Sequence, residues 1–193
     1  PDEMPSSPAP KGQRLHIAYL GSMFGEHKRP EGLFGGLMSL PKDFPVEFSF
    51  IGNKSTEAKV LIRKLGERFP AHDSDYLPHS EAIGAVSSAH ALLILSTRGP
   101  HYELISPGKT FEALGTRRAI LGVVPKGTWI WNFLDENNTY MADPDEPDEI
   151  KEAVIRLAND WHHDRLMFPD NEKIKAYAWE NLARELSARL EDS

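Results

Sequence analysis

ALLILS, residues 91–96, is the most informative stretch of this sequence for the fold class. It is a nearly continuous apolar run of strand length, as expected for a strand that is covered on both faces. Such strands are typical of parallel sheets, on which helices pack from either side. A second buried strand, AILGVV, is predicted at residues 119–124. Between the two strands, Ser106 is placed to cap a helix that ends at about Leu114.

The same alternation of strand and helix extends from these two strands toward both ends of the chain. Further strands are predicted at residues 14–20, 45–51, 75–77 and 139–142. Further helices are predicted at residues 30–40, 55–69, 80–89, 128–135, 147–162 and 172–190, with Ser55 as the N-cap of the second. This order predicts one α/β domain over residues 14–193, with a Rossmann-like, doubly wound parallel sheet of about six strands and helices on both faces. Residues 1–13 are rich in Pro and Ser and are predicted to form a disordered linker or tail.

The composition argues against several classes of protein. The 193 residues include 22 Lys and Arg against 29 Asp and Glu, and the formal net charge of −7 argues against nonspecific binding to nucleic acid or to an anionic membrane. The absence of cysteine excludes disulfides, thiolate zinc sites and a cysteine nucleophile, and it fits a reducing compartment. No apolar run has the length of a bilayer span. Because the sequence begins with Pro1, we expect it to be a fragment of a longer chain.

The strongest local signal for a binding site is the tetrapeptide Ser106-Pro107-Gly108-Lys109. Ser and Pro are favoured at the N-cap and at the first helical position, and Gly108 leaves the backbone N–H groups open to a ligand. Lys109 stands where a self-capping helix usually carries Glu or Gln. A cation near the positive end of a helix dipole is unfavourable unless an anion shares the site. The pattern therefore indicates either a phosphate site or an ordinary capped helix with a solvated lysine.

Glu112 follows Gly108 by four residues and so lies on the same face of the predicted helix. A carboxylate at this place can accept hydrogen bonds from both hydroxyls of a ribose, as acidic residues do in dinucleotide sites. The alternative is a surface glutamate. Phe111 and Leu114 of the same helix can pack against the sheet instead.

The loop GSMFGEHKR, residues 21–29, follows the first predicted strand. Gly21 and Ser22 can let a ligand approach the backbone, and the guanidinium of Arg29 can pair with a pyrophosphate through two hydrogen bonds. The loop is neither a G-x-G-x-x-G motif nor a Walker loop. It is therefore read either as a phosphate-binding loop or as a flexible loop with solvated charges.

Two weaker candidates receive structural interpretations. His79 precedes a predicted helix and is expected to help cap it. The acidic sequence DPDEPDE, residues 143–149, lacks the glycine and the terminal glutamate spacing of a calcium-binding EF-hand. Acidic residues before a helix stabilise its dipole, and this role is sufficient here. The sequence predicts no metal site.

Three blocks in this sequence, GSMFGEHKRPEGL, PHSEAIGAVSSAHALLIL and SPGKTFEALGTRRAILGVVPKG, resemble in their order the C-terminal domain of retaining GT-B glycosyltransferases of the group 1 family. The resemblance covers about residues 14–190. In that family two Rossmann-like domains face each other across a cleft. The C-terminal domain holds the nucleotide-sugar, and the N-terminal domain supplies most of the acceptor site.

The resemblance implies that the intact protein is an enzyme of bacterial polysaccharide biosynthesis. It would transfer a hexosyl or related group from a UDP- or GDP-sugar to an acceptor, with no metal and no other cofactor. It would be cytoplasmic, and any peripheral contact with a membrane would be made through the missing N-terminal domain. Because that domain carries the acceptor site, the fragment alone is expected to be inactive.

The resemblance also implies donor-binding roles for eight residues, which are Gly21, Ser22, Arg29, His79, Ser106, Gly108, Lys109 and Glu112. The first three would border the donor phosphates. His79 would lie in the loop that brackets the base. Gly108 and Lys109 would contact the diphosphate or the sugar at the start of the helix that Ser106 caps, and Glu112 would bind the ribose hydroxyls.

One departure from the family pattern concerns the donor sugar. Many members carry two glutamates separated by seven residues, and the first of them touches the sugar. Here Leu104 stands at that position before Glu112, and Glu103 lies one residue earlier. The resemblance therefore assigns no role to Glu103 and does not identify the donor sugar.

Two other functions stay open on the sequence. The chain can be a nucleotide- or NAD-binding module of another Rossmann-like enzyme, although the missing G-x-G-x-x-G motif counts against this. It can also be a noncatalytic interaction domain that has kept only the fold.

Overall fold

A computed structural model describes residues 12–24, 29–77, 81–99 apart from 83, 85 and 87, 101–104, 109–170 and 187. Six strands within these residues form one sheet: β1 (Leu15–Leu20), β2 (Val46–Ile51), β3 (Ala71–Ser74), β4 (Ala91–Leu95), β5 (Ala119–Val123) and β6 (Tyr140–Ala142). Their order across the sheet is β3-β2-β1-β4-β5-β6, and all neighbours are parallel. The predicted doubly wound sheet is thus confirmed. The strand order reverses between β1 and β4, since successive strands from β1 to β3 are added on one side and those from β4 to β6 on the other.

Five of the helices that the structure describes follow strands at the predicted places: α1 (Glu31–Met38), α2 (Thr56–Gly66), α3 (Lys109–Gly115), α4 (Trp129–Asp135) and α5 (Pro147–His162). A 3-10 turn spans Tyr102–Leu104. The hydroxyl of Ser55 caps α2 as predicted, and that of Thr128 caps α4. No helix of the described residues is both long and apolar enough to cross a membrane.

Two predicted segments fall almost wholly outside the described residues. They are the tail at residues 1–13 and the helix at residues 172–190. The helix predicted at residues 80–89 is described in part, and residues 81, 82, 84 and 86 are helical.

The third strand was predicted in the wrong place, since β3 is formed by Ala71–Ser74 and not by residues 75–77. Its sequence AHDS has no apolar alternation, and none of its four residues is buried. It is the edge strand of the sheet and pairs only with β2, in a register that places Ala71 opposite Phe48. Pairing with a buried neighbour, and not its own residue pattern, makes this segment a strand.

Helices cover both faces of the sheet. On one face, α1, α2 and α5 pack against a core that includes Phe34, Phe48 and Phe50. On the other face, α3 and α4 pack through Leu114 and Ile130. The prediction for Leu114 is therefore confirmed.

Phe111 behaves differently from the sequence expectation. It is 40% exposed and does not belong to the buried core. Its ring packs against Phe133 at 5.4 Å between centroids and lies 6.4 Å from Trp129. It sits in the first turn of α3, where the neighbouring helix α4 offers aromatic rings, so those rings are its packing partners.

Candidate functional site

The switch point between β1 and β4 brings two loops together. In doubly wound sheets, ligands bind beyond the carboxyl ends of the strands where the strand order reverses. Here the backbone N–H of Arg29, in the loop after β1, donates to the hydroxyl of Thr97 after β4 at 3.0 Å. Thr97 is buried, whereas Arg29 is exposed. The hydrogen bond therefore fixes the backbone of an exposed arginine next to the crevice.

Hydrogen bonds to neighbouring residues fix the backbone of Gly21 and Ser22, which directly follow β1. The N–H of Gly21 donates to the carbonyl of Ile51 at 2.9 Å, which continues the pairing of β1 with β2 past the end of the strand. The buried hydroxyl of Tyr19 donates to the carbonyl of Ser22 at 2.6 Å, and burial raises the pKa of this phenol. These hydrogen bonds thus fix the backbone at Gly21 and Ser22.

Gly52 allows the loops after β1 and β2 to approach each other closely. Its φ is +124°, and a Cβ on it would lie 2.2 Å from the carbonyl oxygen of Gly21. Only a glycine fits both the positive φ and the close approach.

Of the other predicted site residues, the structure describes Lys109 and Glu112. Lys109 is the first residue of α3, and Glu112 is exposed on the same helix. Because α3 follows β4, its first turn lies at the carboxyl edge of the sheet, on the same edge as Gly21 and Ser22. His79, Ser106 and Gly108 lie outside the described residues.

A network of charged side chains spans the loops after β4, β5 and β6. The guanidinium of Arg98 donates to both carboxylate oxygens of Asp143, with Nη1–Oδ1 at 2.7 Å and Nη2–Oδ2 at 2.8 Å, and also to Asp145. The backbone N–H groups of Lys126 and Asp145 donate to Asp143 at 2.9 and 3.1 Å. Burial alone would raise the pKa of Asp143, but these hydrogen bonds outweigh it and lower the pKa to about 2.

Glu149 extends this network to α5. Its carboxylate pairs with the ammonium of Lys126 and accepts from the backbone N–H of Asp143 at 3.1 Å. The hydrogen bond from Lys126 lowers the pKa of Glu149 and raises that of the lysine. The interpretation of the acidic sequence at residues 143–149 was therefore incomplete, because Asp143, Asp145 and Glu149 bind the cations of two neighbouring loops.

The sequence reasoning missed Thr97 and Arg98. Both follow the apolar strand ALLILS directly, at the end where parallel strands bind ligands. The position was a usable signal, but their partners Arg29 and Asp143 are 68 and 45 residues away in the chain.

Comparison with known proteins finds similarity in structure only. No protein-family model matches the sequence, and no curated protein matches it. Among solved structures, HepE from Anabaena in complex with UDP superposes with a TM-score of 0.68 at 11% identity, over 94% of this chain and 50% of HepE. The apo form of the lipopolysaccharide outer core galactosyltransferase WaaB gives 0.65 at 14% identity, over 94% of this chain and 52% of WaaB.

An isolated domain is also similar. The C-terminal domain of LpcC, a group 1 glycosyltransferase of Francisella tularensis, gives a TM-score of 0.58 at 14% identity, over 82% of this chain and 88% of that domain. The chain thus spans about half the length of HepE and WaaB but most of the length of the LpcC domain. The chain therefore has the fold of one Rossmann-like half of a GT-B glycosyltransferase, as its sequence blocks predicted.

Proposed function

We propose that this chain is the nucleotide-sugar-binding half of a glycosyltransferase that moves a sugar from a nucleoside-diphosphate sugar to an acceptor. The observation that carries the proposal is the hydrogen bond from the backbone of Arg29 to Thr97, because it fixes the backbone of an exposed arginine beside the switch point of a doubly wound sheet. The shared fold supports it, since HepE was solved with UDP bound.

In this proposal the diphosphate of the donor lies against Gly21 and Ser22. Arg29 pairs with its oxygens, and a planar guanidinium suits this contact because it can donate two parallel hydrogen bonds. Lys109 adds a second positive charge from the start of α3, and Glu112 accepts from the ribose hydroxyls. When the bond between sugar and phosphate breaks, negative charge grows on the departing nucleoside diphosphate, and the two cations stabilise it.

The acceptor site belongs to a further domain in this proposal. Transfer requires the reacting atoms of donor and acceptor to be held together, and such positioning supplies much of the rate. We therefore expect the 193-residue chain to bind a nucleoside diphosphate but to show no measurable sugar transfer. Transfer from UDP-glucose to an added acceptor at an ordinary enzymatic rate would contradict this expectation.

The binding itself is tested by calorimetric titration of the chain with UDP, GDP and NAD. Arg29→Ala, Lys109→Ala and Glu112→Ala are each expected to weaken binding of the preferred diphosphate roughly tenfold or more, because a hydrogen bond to a charged group contributes about 1.5–3 kcal/mol. The free energy of unfolding should change by less than about 1 kcal/mol for each variant, since the proposed roles need no core contact.

Two exposed residues at the end of α2 supply matched controls. Lys64→Ala and Glu67→Ala remove the same charges, but α2 runs back from the carboxyl edge, so its end lies at the opposite edge of the sheet. Both controls should bind as the wild type does. Wild-type affinity in all three site variants would show that the site is misassigned. Tighter binding of NAD than of either diphosphate would favour another Rossmann-like enzyme.

A further inference from the structure

Lys54, two residues after Gly52 in the loop that follows β2, has an almost completely buried side chain, of which 1% is exposed. Its ammonium donates to three backbone carbonyls: Phe50 at 3.1 Å, Gly52 at 2.6 Å and Ser74 at 2.5 Å. A carboxylate oxygen of Asp73 lies 2.7 Å away and pairs with its charge. All four oxygens belong to the carboxyl ends of β2 and β3.

This arrangement shows what the buried charge does. An ammonium that is removed from water destabilises a protein unless oxygens replace its lost hydration. Here the oxygens come from two strand ends, so the cation and the strand ends stabilise each other. The ammonium acts as the donor for main-chain carbonyls at the place where the sheet ends.

The backbone of Lys54 is attached to the loop after β1. Lys54 forms a parallel bridge with Met23. The N–H of Met23 donates to the carbonyl of Asn53 at 2.8 Å, and the N–H of Ser55 donates to the carbonyl of Met23 at 3.1 Å. The Met23 side chain is fully buried. Lys54 is thus anchored through its side chain to β2 and β3, and the peptide groups on either side of it are bonded to Met23.

We propose that Lys54 is a positioning residue: its buried ammonium holds the loop at residues 52–55, and this loop holds residues 21–23 in the conformation that receives an anionic ligand. The identity of the ligand, a nucleoside diphosphate, rests on the proposed function. The role of Lys54 in holding the two loops rests only on its own contacts. It predicts that removal of the ammonium loosens the loop after β1 locally, whereas a purely stabilising lysine would affect the whole domain.

Amide hydrogen exchange of the whole 193-residue chain tests the role directly. In Lys54→Met, which removes the charged Nζ and keeps an unbranched side chain one atom shorter, the amides of Gly21 and Met23 should exchange roughly tenfold faster, because their bonds to residues 51 and 53 open locally. The amides of Ser96 and Val124, which pair on the other side of the sheet, should keep their protection. Unchanged exchange at Gly21 and Met23, or an equal increase at all four amides, would overturn the proposal.

Two further variants sharpen the test. Lys59→Met removes an exposed lysine that pairs with Asp75 in the next loop, and it should leave all four amides unchanged. Asp73→Asn keeps the ammonium and its three carbonyls but removes the paired charge, so the amides of Gly21 and Met23 should exchange faster by a smaller factor. If Lys54→Met does not fold, Asp73→Asn decides: faster exchange at these two amides supports the role and unchanged exchange overturns it.

A UDP titration of wild type and Lys54→Met separates this inference from the proposed function. Faster local exchange with roughly tenfold weaker UDP binding supports both. Faster local exchange in a chain whose wild type binds no nucleotide leaves the positioning role intact and contradicts the proposed function. Faster exchange with wild-type affinity for UDP overturns the link between the loop and the donor.

Discussion

The two sides of the carboxyl edge are held together by different kinds of interaction. On the side of β1, β2 and β3, the loops are joined by backbone hydrogen bonds and by the buried ammonium of Lys54, and Gly52 permits their close approach. On the side of β4, β5 and β6, they are joined by ion pairs of Arg98 with Asp143 and Asp145, and of Lys126 with Glu149. The first side therefore depends on backbone contacts and one buried cation, whereas the second, the charged side, depends on a network of ion pairs.

This difference has a functional meaning in the proposed enzyme. Gly21 and Ser22, which are to border the donor phosphates, belong to the side that is held by backbone hydrogen bonds and by the buried ammonium of Lys54. The hydrogen bond from Arg29 to Thr97 joins the two sides across the switch point. Substitutions on each side, and at this link, measure how far the two sides behave independently.

The largest expected effect is that of Gly52→Ala. An added Cβ at a φ of +124° would lie 2.2 Å from the carbonyl oxygen of Gly21, so strain and overpacking add up. We expect a loss of about 3 kcal/mol in the free energy of unfolding, measured by denaturant titration.

Gly127→Ala, on the other side of the edge, is the matched control. Its φ is +77°, but nothing lies within 4 Å of the added Cβ. It should cost about 1 kcal/mol, the strain alone. Equal losses for the two variants would show that the close approach to Gly21 does not matter.

An intermediate effect is expected on the charged side, from the titration of Asp143. Its pKa is about 2 in the folded protein against an ordinary value of 3.8. A carboxylate whose pKa is lowered on folding stabilises the folded state at pH values above its ordinary pKa. This contribution is lost as the pH falls through the pKa of the folded state. About 2 kcal/mol of stability should therefore disappear between pH 4 and pH 2.

Asp143→Asn isolates this contribution. The free energies of unfolding of wild type and variant should differ by about 2 kcal/mol at pH 7 and converge as the pH falls to 2. Other carboxylates titrate in both proteins and cancel in the difference. If the two curves run parallel from pH 4 to pH 2, Asp143 does not hold the charged side together.

The smallest effect on stability is expected at the link between the two sides. Thr97→Val keeps the shape of the side chain and removes the acceptor for the N–H of Arg29, which should cost about 1 kcal/mol in the free energy of unfolding. The effect on nucleotide binding should be larger than this effect on stability, because the backbone of Arg29 loses its hydrogen bond to Thr97. Thr97→Ser keeps the hydroxyl and should bind as the wild type does, so a loss of binding in both variants would speak against the link.

Local signals in the sequence were enough for most of the fold. The apolar strands at residues 91–96 and 119–124 were recognisable because burial on both faces requires apolar residues at every position. Ser55 capped its helix as predicted, because a cap involves only residues within one turn. The alternation of such elements restricts the topology to very few arrangements, so the parallel sheet followed.

Part of the candidate site could be predicted from the sequence, as a location and not as a function. The strand-end rule pointed to the loops that carry Gly21, Ser22 and Arg29, and the structure places Arg29 next to β4. The donor-binding roles of these residues stay predictions.

The remaining features depend on partners that are distant in the chain. β3 is a strand because it pairs with β2, and its own four residues show no strand pattern. Arg98 reads like any surface arginine until the sheet brings Asp143, 45 residues later, into contact with it. Lys54 likewise reads as a solvated loop lysine, and only the meeting of two strand ends surrounds its ammonium with oxygens. Local patterns report whether a residue prefers burial or a cap, whereas the environment of a charge is set by chain segments that meet only in the folded state.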